Sequence, residues 1–261
     1  MCQSRQGSSL DSATPEYKIP LPPIAEQRRI AAILDKADAI RRKRKQAIQY
    51  TEELLRATFL DMFGDPVTNP KGWKVVNIGD ITGVKTGKTP SREVPENYGG
   101  KVRWVKTTEV KDRVIYETEE HLTEKGASQM KIFPKDSILI AMYGQGATRG
   151  RTALLGCDCT TNQACAVILP NAYSYSSVYL WSLLMFSYER LRDLGRGGNQ
   201  PNLNLNMVKS FEICLPPIDL QNKFKNIFTM LNSQKSKLNK ASYENDSLFN
   251  SLLQRAFRGE L

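Results

Sequence analysis

Two long stretches of the chain carry apolar residues at helical spacing, and neither contains proline or glycine. The first occupies residues 25–63. There Ile33, Ile40, Ala47 and Leu54 follow a seven-residue step, with Ile30 and Ala37 on a neighbouring row. The second lies within residues 213–261. Leu231, Leu238 and Leu252 share one such row, interrupted by Asn245, while Ile227, Ala241 and Leu248 share another, interrupted by Gln234. Heptads sustained over this length predict a coiled coil rather than one helix on a globular face. The polar interruptions either fix its register or mark a weak middle. Ile33, Ile40, Leu54, Leu231, Leu238 and Leu248 are the expected helix-pairing residues. A helix over 25–63 would span roughly 58 Å at 1.5 Å per residue.

The two stretches are copies of one unit. Leu21-Pro22-Pro23-Ile24 recurs as Leu215-Pro216-Pro217-Ile218, 194 residues on. The same offset pairs Gln27 with Gln221, Ile33 with Ile227, Lys43 with Lys237, Ala47 with Ala241, Leu54 with Leu248 and Phe63 with Phe257. Proline disfavours helix in the residue before it and suits a helix start. Each copy therefore reads as a strand end, a Pro-Pro break and one long helix. The run Arg41-Arg42-Lys43-Arg44-Lys45 sits in mid-helix and reads as a solvated outer face, with phosphate contact as the alternative.

Residues 64–212 have another texture. Trp73 to Ile81, Val102 to Val105, Ser137 to Met142, Thr152 to Gly156, Ala164 to Leu169 and Ser210 to Leu215 are short β-like runs. Ser177 to Leu194 has Trp181, Leu184, Tyr188 and Leu191 at helical spacing. This predicts a mixed α/β globule and an α+β chain overall. If the helices pack antiparallel, the globule lies at one tip of a long helical hairpin and residues 1–24 mark the other.

Charge changes the picture. The chain has 261 residues, 37 Lys and Arg against 27 Asp and Glu, and a net charge of +10. That favours a polyanionic partner. The globule holds nineteen of the basic residues and fifteen of the acidic ones, so the excess works as patches on folded parts. No apolar run approaches the roughly 20 residues of a membrane span, so no membrane is expected. Five cysteines and no secretion signal point to the cytoplasm.

The chemistry is sparse. His121 is the single histidine, which argues against His-rich metal sites. Gly87-Lys88-Thr89 lacks the earlier glycine of a phosphate loop, because position 82 is Thr82. In Gly144-Gln145-Gly146-Ala147-Thr148-Arg149, arginine takes the third glycine position of a dinucleotide fingerprint. Cys157, Cys159 and Cys165 lack zinc spacing and a nearby fourth ligand, so they read as buried thiols. Glu117, Glu119, Glu120 and Glu124 read as a solvated acidic face. No catalytic residue, metal ligand or cofactor is expected.

What remains is a set of loops suited to nucleic acid. Lys85, Lys88, Thr89, Ser91 and Arg92 share one basic loop. Lys106 and Thr107 leave a strand. Tyr143, Gln145, Thr148, Arg149 and Arg151 lie in a glycine-rich loop, Asn162 and Gln163 in another, and Arg196, Asn199 and Gln200 in a third. Arginine pairs bidentately with guanine, Gln and Asn pair with adenine, and Lys and Thr contact phosphates.

These segments resemble the specificity (S) subunits of Type I restriction–modification enzymes. The match rests on the repeated LPPI-x2-Q before a long helix, GW…GDI…TGKTPSR, ILIAMYGQGATRGR followed by TTNQACAVI, GGNQPNLNLNMVKSFEICLPP, and the ending LLQRAFRGEL. It runs from residue 17 to 261. The resemblance implies a non-catalytic subunit that reads double-stranded DNA through target-recognition domains held apart by antiparallel spacer helices. It implies modification (methyltransferase) subunits as partners and, through them, restriction subunits, in a prokaryotic cytoplasm. Residues 64–212 would be one recognition domain, 25–63 and 213–261 the spacers, and 1–24 a remnant or the end of a preceding recognition domain. Such a chain would be a C-terminal half or a natural half-subunit able to pair with a second copy. The alternative is a coiled-coil scaffold that binds protein partners with little DNA contact.

Overall fold

The structure, a computed structural model, describes residues 22–144, 147–195, 202–258 and 260. Its helices are α1 (Ile24–Phe63), α2 (Ile78–Ile81), α3 (Glu124–Ala127), α4 (Ser177–Phe186), α5 (Tyr188–Asp193), α6 (Leu205–Lys209) and α7 (Ile218–Arg258). Its strands are β1 (Lys74–Asn77), β2 (Val84–Thr86), β3 (Tyr98–Val105), β4 (Arg113–Ile115), β5 (Glu120–Leu122), β6 (Ile138–Ala141), β7 (Thr152–Leu155), β8 (Thr160–Thr161), β9 (Cys165–Ile168) and β10 (Glu212–Leu215). The fold is α+β and divides into two units, Met1–Tyr50 with Lys235–Leu261, and Thr51–Gln234.

The repeat is one helix-start device used twice. In α1 the Gln27 side chain donates to the Pro22 carbonyl at 2.8 Å, and the Gln27 amide bonds Pro23 O. In α7 the Gln221 side chain donates to Pro216 O at 2.8 Å, and its amide bonds Pro217 O. Proline's missing N–H is no loss before the first turn, and the glutamine ties down a carbonyl that the helix leaves open.

In the first unit the helices run antiparallel. Arg44 Nη1 donates to Ala241 O at 2.6 Å, Arg41 Nε lies 3.5 Å from Asp246 Oδ1, and the Arg41 guanidinium sits 4.8 Å from the Phe249 ring centre. The half-buried row on α1 is Ile30, Leu34, Ala37, Arg41, Arg44 and Ile48; on α7 it is Leu238, Ser242, Asn245, Phe249, Leu252 and Ala256. This corrects the expected pairing rows. Ile33 is half-buried beside the seam and Leu231 is buried, but Ile40, Leu54 and Leu248 are 43%, 52% and 56% exposed. Arg41 and Arg44 occupy seam positions and are half-buried, as long charged side chains can be while their heads stay polar. They hide the true row, and the more regular apolar row lies one residue, about 100°, around the helix. The basic run is thus a solvated face at Arg42, Lys43 and Lys45 only.

In the second unit, the last turns of α1 and the first of α7 join an aromatic core. Phe59 and Phe63 meet Phe224 edge-on at 5.4 and 5.6 Å, Tyr179 lies 4.6 Å from Phe63, and Trp181 meets Phe228 at 5.7 Å. Gly64 ends α1 at φ +78°, where a Cβ would come within 2.7 Å of Pro70. Trp73 Nε1 then caps the Phe63 carbonyl at 2.8 Å. Strands β1 and β10 pair antiparallel, Lys74 opposite Leu215. The strand expected over 73–81 stops at Asn77, because the Ile78 amide bonds Phe211 O and the chain turns into α2. The expected helix over 177–194 breaks at Ser187 into α4 and α5.

The main sheet has the order β2-β9-β6-β7-β4, antiparallel except for β4–β7. Its central strands ILIA and CAVI are buried on both faces, which explains their unbroken apolar runs. Ile138, Ile140, Ala166 and Ile168 face the cluster containing α4; Leu139, Ala141, Cys165 and Val167 face Val105, Val110 and Phe133. A smaller sheet, β5-β3-β8, carries Trp104 and Leu122 on a third cluster.

Candidate nucleic-acid interface

Strand register decides where the polar loops emerge. Thr86 lies opposite Ala166, Ala141 opposite Cys165, Ile140 opposite Thr152, and Arg113 opposite Ala153. The end of β2, the start of β9, the end of β6 and the starts of β7 and β4 therefore share one end of the main sheet. The loops 87–97, 162–164 and 142–151 all leave from that end. The Leu203 amide bonds Met142 O at 3.0 Å and brings residues 202–204 to it.

The loops are sewn to one another. The Lys88 amide donates to Thr161 O at 2.9 Å. A Cβ on Gly87 would fall 1.7 Å from that same oxygen, so only glycine permits the approach. Thr86 Oγ1 donates to the carbonyls of Gln163 and Cys165, and Thr89 Oγ1 donates to Gln163 Oε1. Thr107 Oγ1 donates to Asn162 Oδ1 at 3.1 Å. Trp104 Nε1 holds the Lys88 carbonyl at 3.2 Å and the Tyr98 hydroxyl holds that of Pro90 at 2.8 Å. No helix follows Gly87-Lys88-Thr89, so the segment is not a phosphate loop.

The cations fall into two groups. Lys85 and Lys88 are exposed and carry no ion pair among the described residues. Arg92, Lys106 and Arg151 are held by carboxylates. Arg92 bonds Glu120 at 2.8 Å while lying over Tyr98 and Trp104, 4.3 and 5.2 Å from the ring centres. Lys106 Nζ bonds Glu120 at 2.9 Å and Glu119 at 3.0 Å. These two bonds raise the Lys106 ammonium above its ordinary range, and Arg92 first, then Lys106, hold the Glu120 carboxyl below its own. Arg151 pairs with Asp112, whose other oxygen accepts the Thr152 amide at 3.0 Å.

The β6–β7 loop is clamped from α5. The Tyr188 hydroxyl donates to Ala147 O at 2.8 Å, and the Arg151 and Arg192 guanidinium groups lie 4.4 and 5.4 Å from its ring centre. Arg149 is half-buried, and its Nε is enclosed with no partner among the described residues. Tyr143 is exposed, Thr148 half-buried, and Ser91 Oγ accepts the Glu93 amide. Gln145, Arg196, Asn199 and Gln200 lie outside the described residues.

Sequence reasoning missed Glu109, Asp112, Tyr188 and Arg192. Glu109 is 1% exposed, and its two oxygens accept the amides of Lys106 and Glu119 at 2.9 and 3.0 Å. Nor are Glu117, Glu119 and Glu120 a merely solvated face: Glu117 pairs with Arg103 and His121, and the others with Lys106 and Arg92. Glu109 with Lys106, Glu117 with His121 and Tyr188 with Arg192 lie three or four residues apart, within reach of a local pattern. Asp112 with Arg151, Glu120 with Arg92 and Glu120 with Lys106 span 39, 28 and 14 residues and need the fold. Cys159, Cys165 and Cys214 are buried and Cys157 half-buried. Burial pushes the Cys165 thiol up to about 11 and Cys159 further, which leaves both unreactive.

A family described as the Type I restriction modification DNA specificity domain matches residues 10–50 and 70–245. The chain belongs to that family. The MjaIX specificity subunit of Methanocaldococcus jannaschii is 32% identical to this specificity-domain chain over 170 residues, 61% of it and 38% of that protein. The HindI specificity subunit of Haemophilus influenzae is 30% identical over 179 residues, 64% of this chain and 38% of that one. The specificity-domain chain thus spans about two-fifths of the length of these curated relatives. It shares a fold with the HsdS subunit of Thermoanaerobacter tengcongensis, at TM-score 0.56, 22% identity and coverage of 97% and 65%. With an S subunit from M. genitalium the TM-score is 0.63, at 15% identity and coverage of 90% and 61%.

Proposed function

We propose that this chain reads double-stranded DNA by sequence for a Type I restriction–modification complex. It sets the target of methylation and cleavage and does no chemistry itself. The observation that carries this reading is the convergence of the β2, β6–β7 and β8–β9 loops at one end of the main sheet. Residues 64–212 act as the target-recognition domain, with 25–63 and 213–261 as spacer helices. Asn162, Gln163 and Arg149 are the base readers at the described end, and Lys85 and Lys88 are phosphate contacts. Gln145, Arg196, Asn199 and Gln200 belong to the same reading.

Modification subunits are the partners, with restriction subunits joining through them. The exposed Ile40, Leu54 and Leu248 offer apolar surface to a partner. A second copy docking through the same helices would give two identical readers and an inverted-repeat target. Among the described residues no helix is long and apolar enough to cross a membrane, and the proposed place of action is the prokaryotic cytoplasm.

Methylome sequencing of cells with and without the gene tests the proposal. One bipartite motif should lose methylation when the gene is removed. An unchanged methylome in cells that express the partner methyltransferase would overturn it.

A further inference from the structure

Two of the cations at the reading end do not face solvent alone. Arg92 and Lys106 converge on Glu120, and Glu119 adds a second carboxylate to Lys106. They belong to the reading surface through its own bonds: Arg92 lies over Trp104, which holds Lys88, and Thr107, next to Lys106, holds Asn162. The group stays accessible, with the Arg92 side chain 56% exposed, Glu120 31% and Lys106 24%. Tyr98 and Trp104 fix the Arg92 guanidinium whatever its counterion.

We propose that Glu120, assisted by Glu119, is a specificity-determining residue. Its carboxylate takes the place of a DNA phosphate on Arg92 and Lys106 and so suppresses binding to non-target duplex. This rests on the DNA-recognition reading above and goes beyond it. Lysine and arginine contacts to phosphate bind any duplex equally well, and competing sites vastly outnumber targets. A cation already matched to a carboxylate adds little to a loosely docked encounter. An exposed ion pair is weak enough to be exchanged. A phosphate displaces the carboxylate once the base-reading loops hold the duplex in register. Lys85 and Lys88 keep the general attraction.

The test is binding of the full chain to a random-sequence duplex, read by fluorescence anisotropy between about 50 and 200 mM salt. Glu120→Gln should tighten this binding about fivefold and steepen its salt dependence by about one log unit per log unit. Glu119→Gln should act in the same direction and less. Glu212→Gln, the same charge change on the exposed start of β10, should shift affinity less than about twofold. Unchanged or weaker binding by Glu120→Gln, with the unaltered chain still bound, would overturn the proposal. So would an equal gain in Glu212→Gln, which would reduce the effect to net charge. Absence of duplex binding by the unaltered chain would overturn the DNA-recognition reading itself.

Discussion

The two long helices are secured in opposite ways along their lengths. Between Thr51 and Gln234 they contribute Phe59, Phe63, Phe224 and Phe228, each no more than 9% exposed. Between Ile24 and Tyr50, and again beyond Lys235, the facing residues are only half-buried and include Arg41, Arg44, Ser242 and Asn245. The spacing of the facing residues is the same, but the adhesive differs. Buried rings supply area and edge-to-face contacts. Arg44 supplies a hydrogen bond to Ala241 O, and Arg41 an ion pair with Asp246 and a contact with the Phe249 ring, polar contacts whose net value is small but whose geometry fixes direction and register. The aromatic stretch should therefore hold the fold, and the thin stretch should hold an alignment.

Truncation is the harshest way to break this contrast. Phe59→Ala should destabilise by about 3–5 kcal/mol, the range for a fully buried aromatic, as read by urea denaturation. A loss below about 1 kcal/mol would mean the ring core is not structural. Next in size is Leu231→Ala, expected at about 2–4 kcal/mol by the same measurement. Its counterpart Leu248→Ala should stay within about 0.5 kcal/mol, as for an exposed site. Equal losses for the two leucines would restore the simple heptad pairing that the burial pattern overturns.

The repeated glutamines sharpen the same contrast more gently. Gln221 is fully buried, and its Oε1 also accepts the Ser176 amide at 2.9 Å. Gln221→Ala should cost about 1–3 kcal/mol, because it strands a buried amide. Half-buried Gln27 makes the same bond to its proline carbonyl, and Gln27→Ala should cost about 1 kcal/mol or less. A larger loss at Gln27 than at Gln221 would reverse the assignment of which helix start is packed against a folded core.

How much of this could be read in advance followed from locality. Pro22-Pro23 and Pro216-Pro217 announce their helices because the constraint lies within one turn. The runs ILIA and CAVI were legible as strands because burial on both faces leaves an unbroken apolar signature. Ile78 to Ile81 looked like more strand, and the hydrogen bond that turns it aside comes from Phe211. The seam row is hidden from the heptad pattern because Arg41 and Arg44 are polar in composition yet half-buried in place. In the candidate interface, loop composition singled out Lys88, Asn162 and Gln163. Their convergence depends on the register of β2, β9 and β6, and the capture of Arg92 by Glu120 spans 28 residues.

The central claim, that the loops at one end of the main sheet read DNA sequence, is tested most directly by selecting ligands for the full chain from a random duplex library. The account predicts that a short motif is enriched. Gln163→Ala should change the bases in that motif, whereas Lys88→Ala should lower the amount bound and leave the motif intact. Enrichment of no motif, or of one that neither substitution affects in these ways, would contradict it.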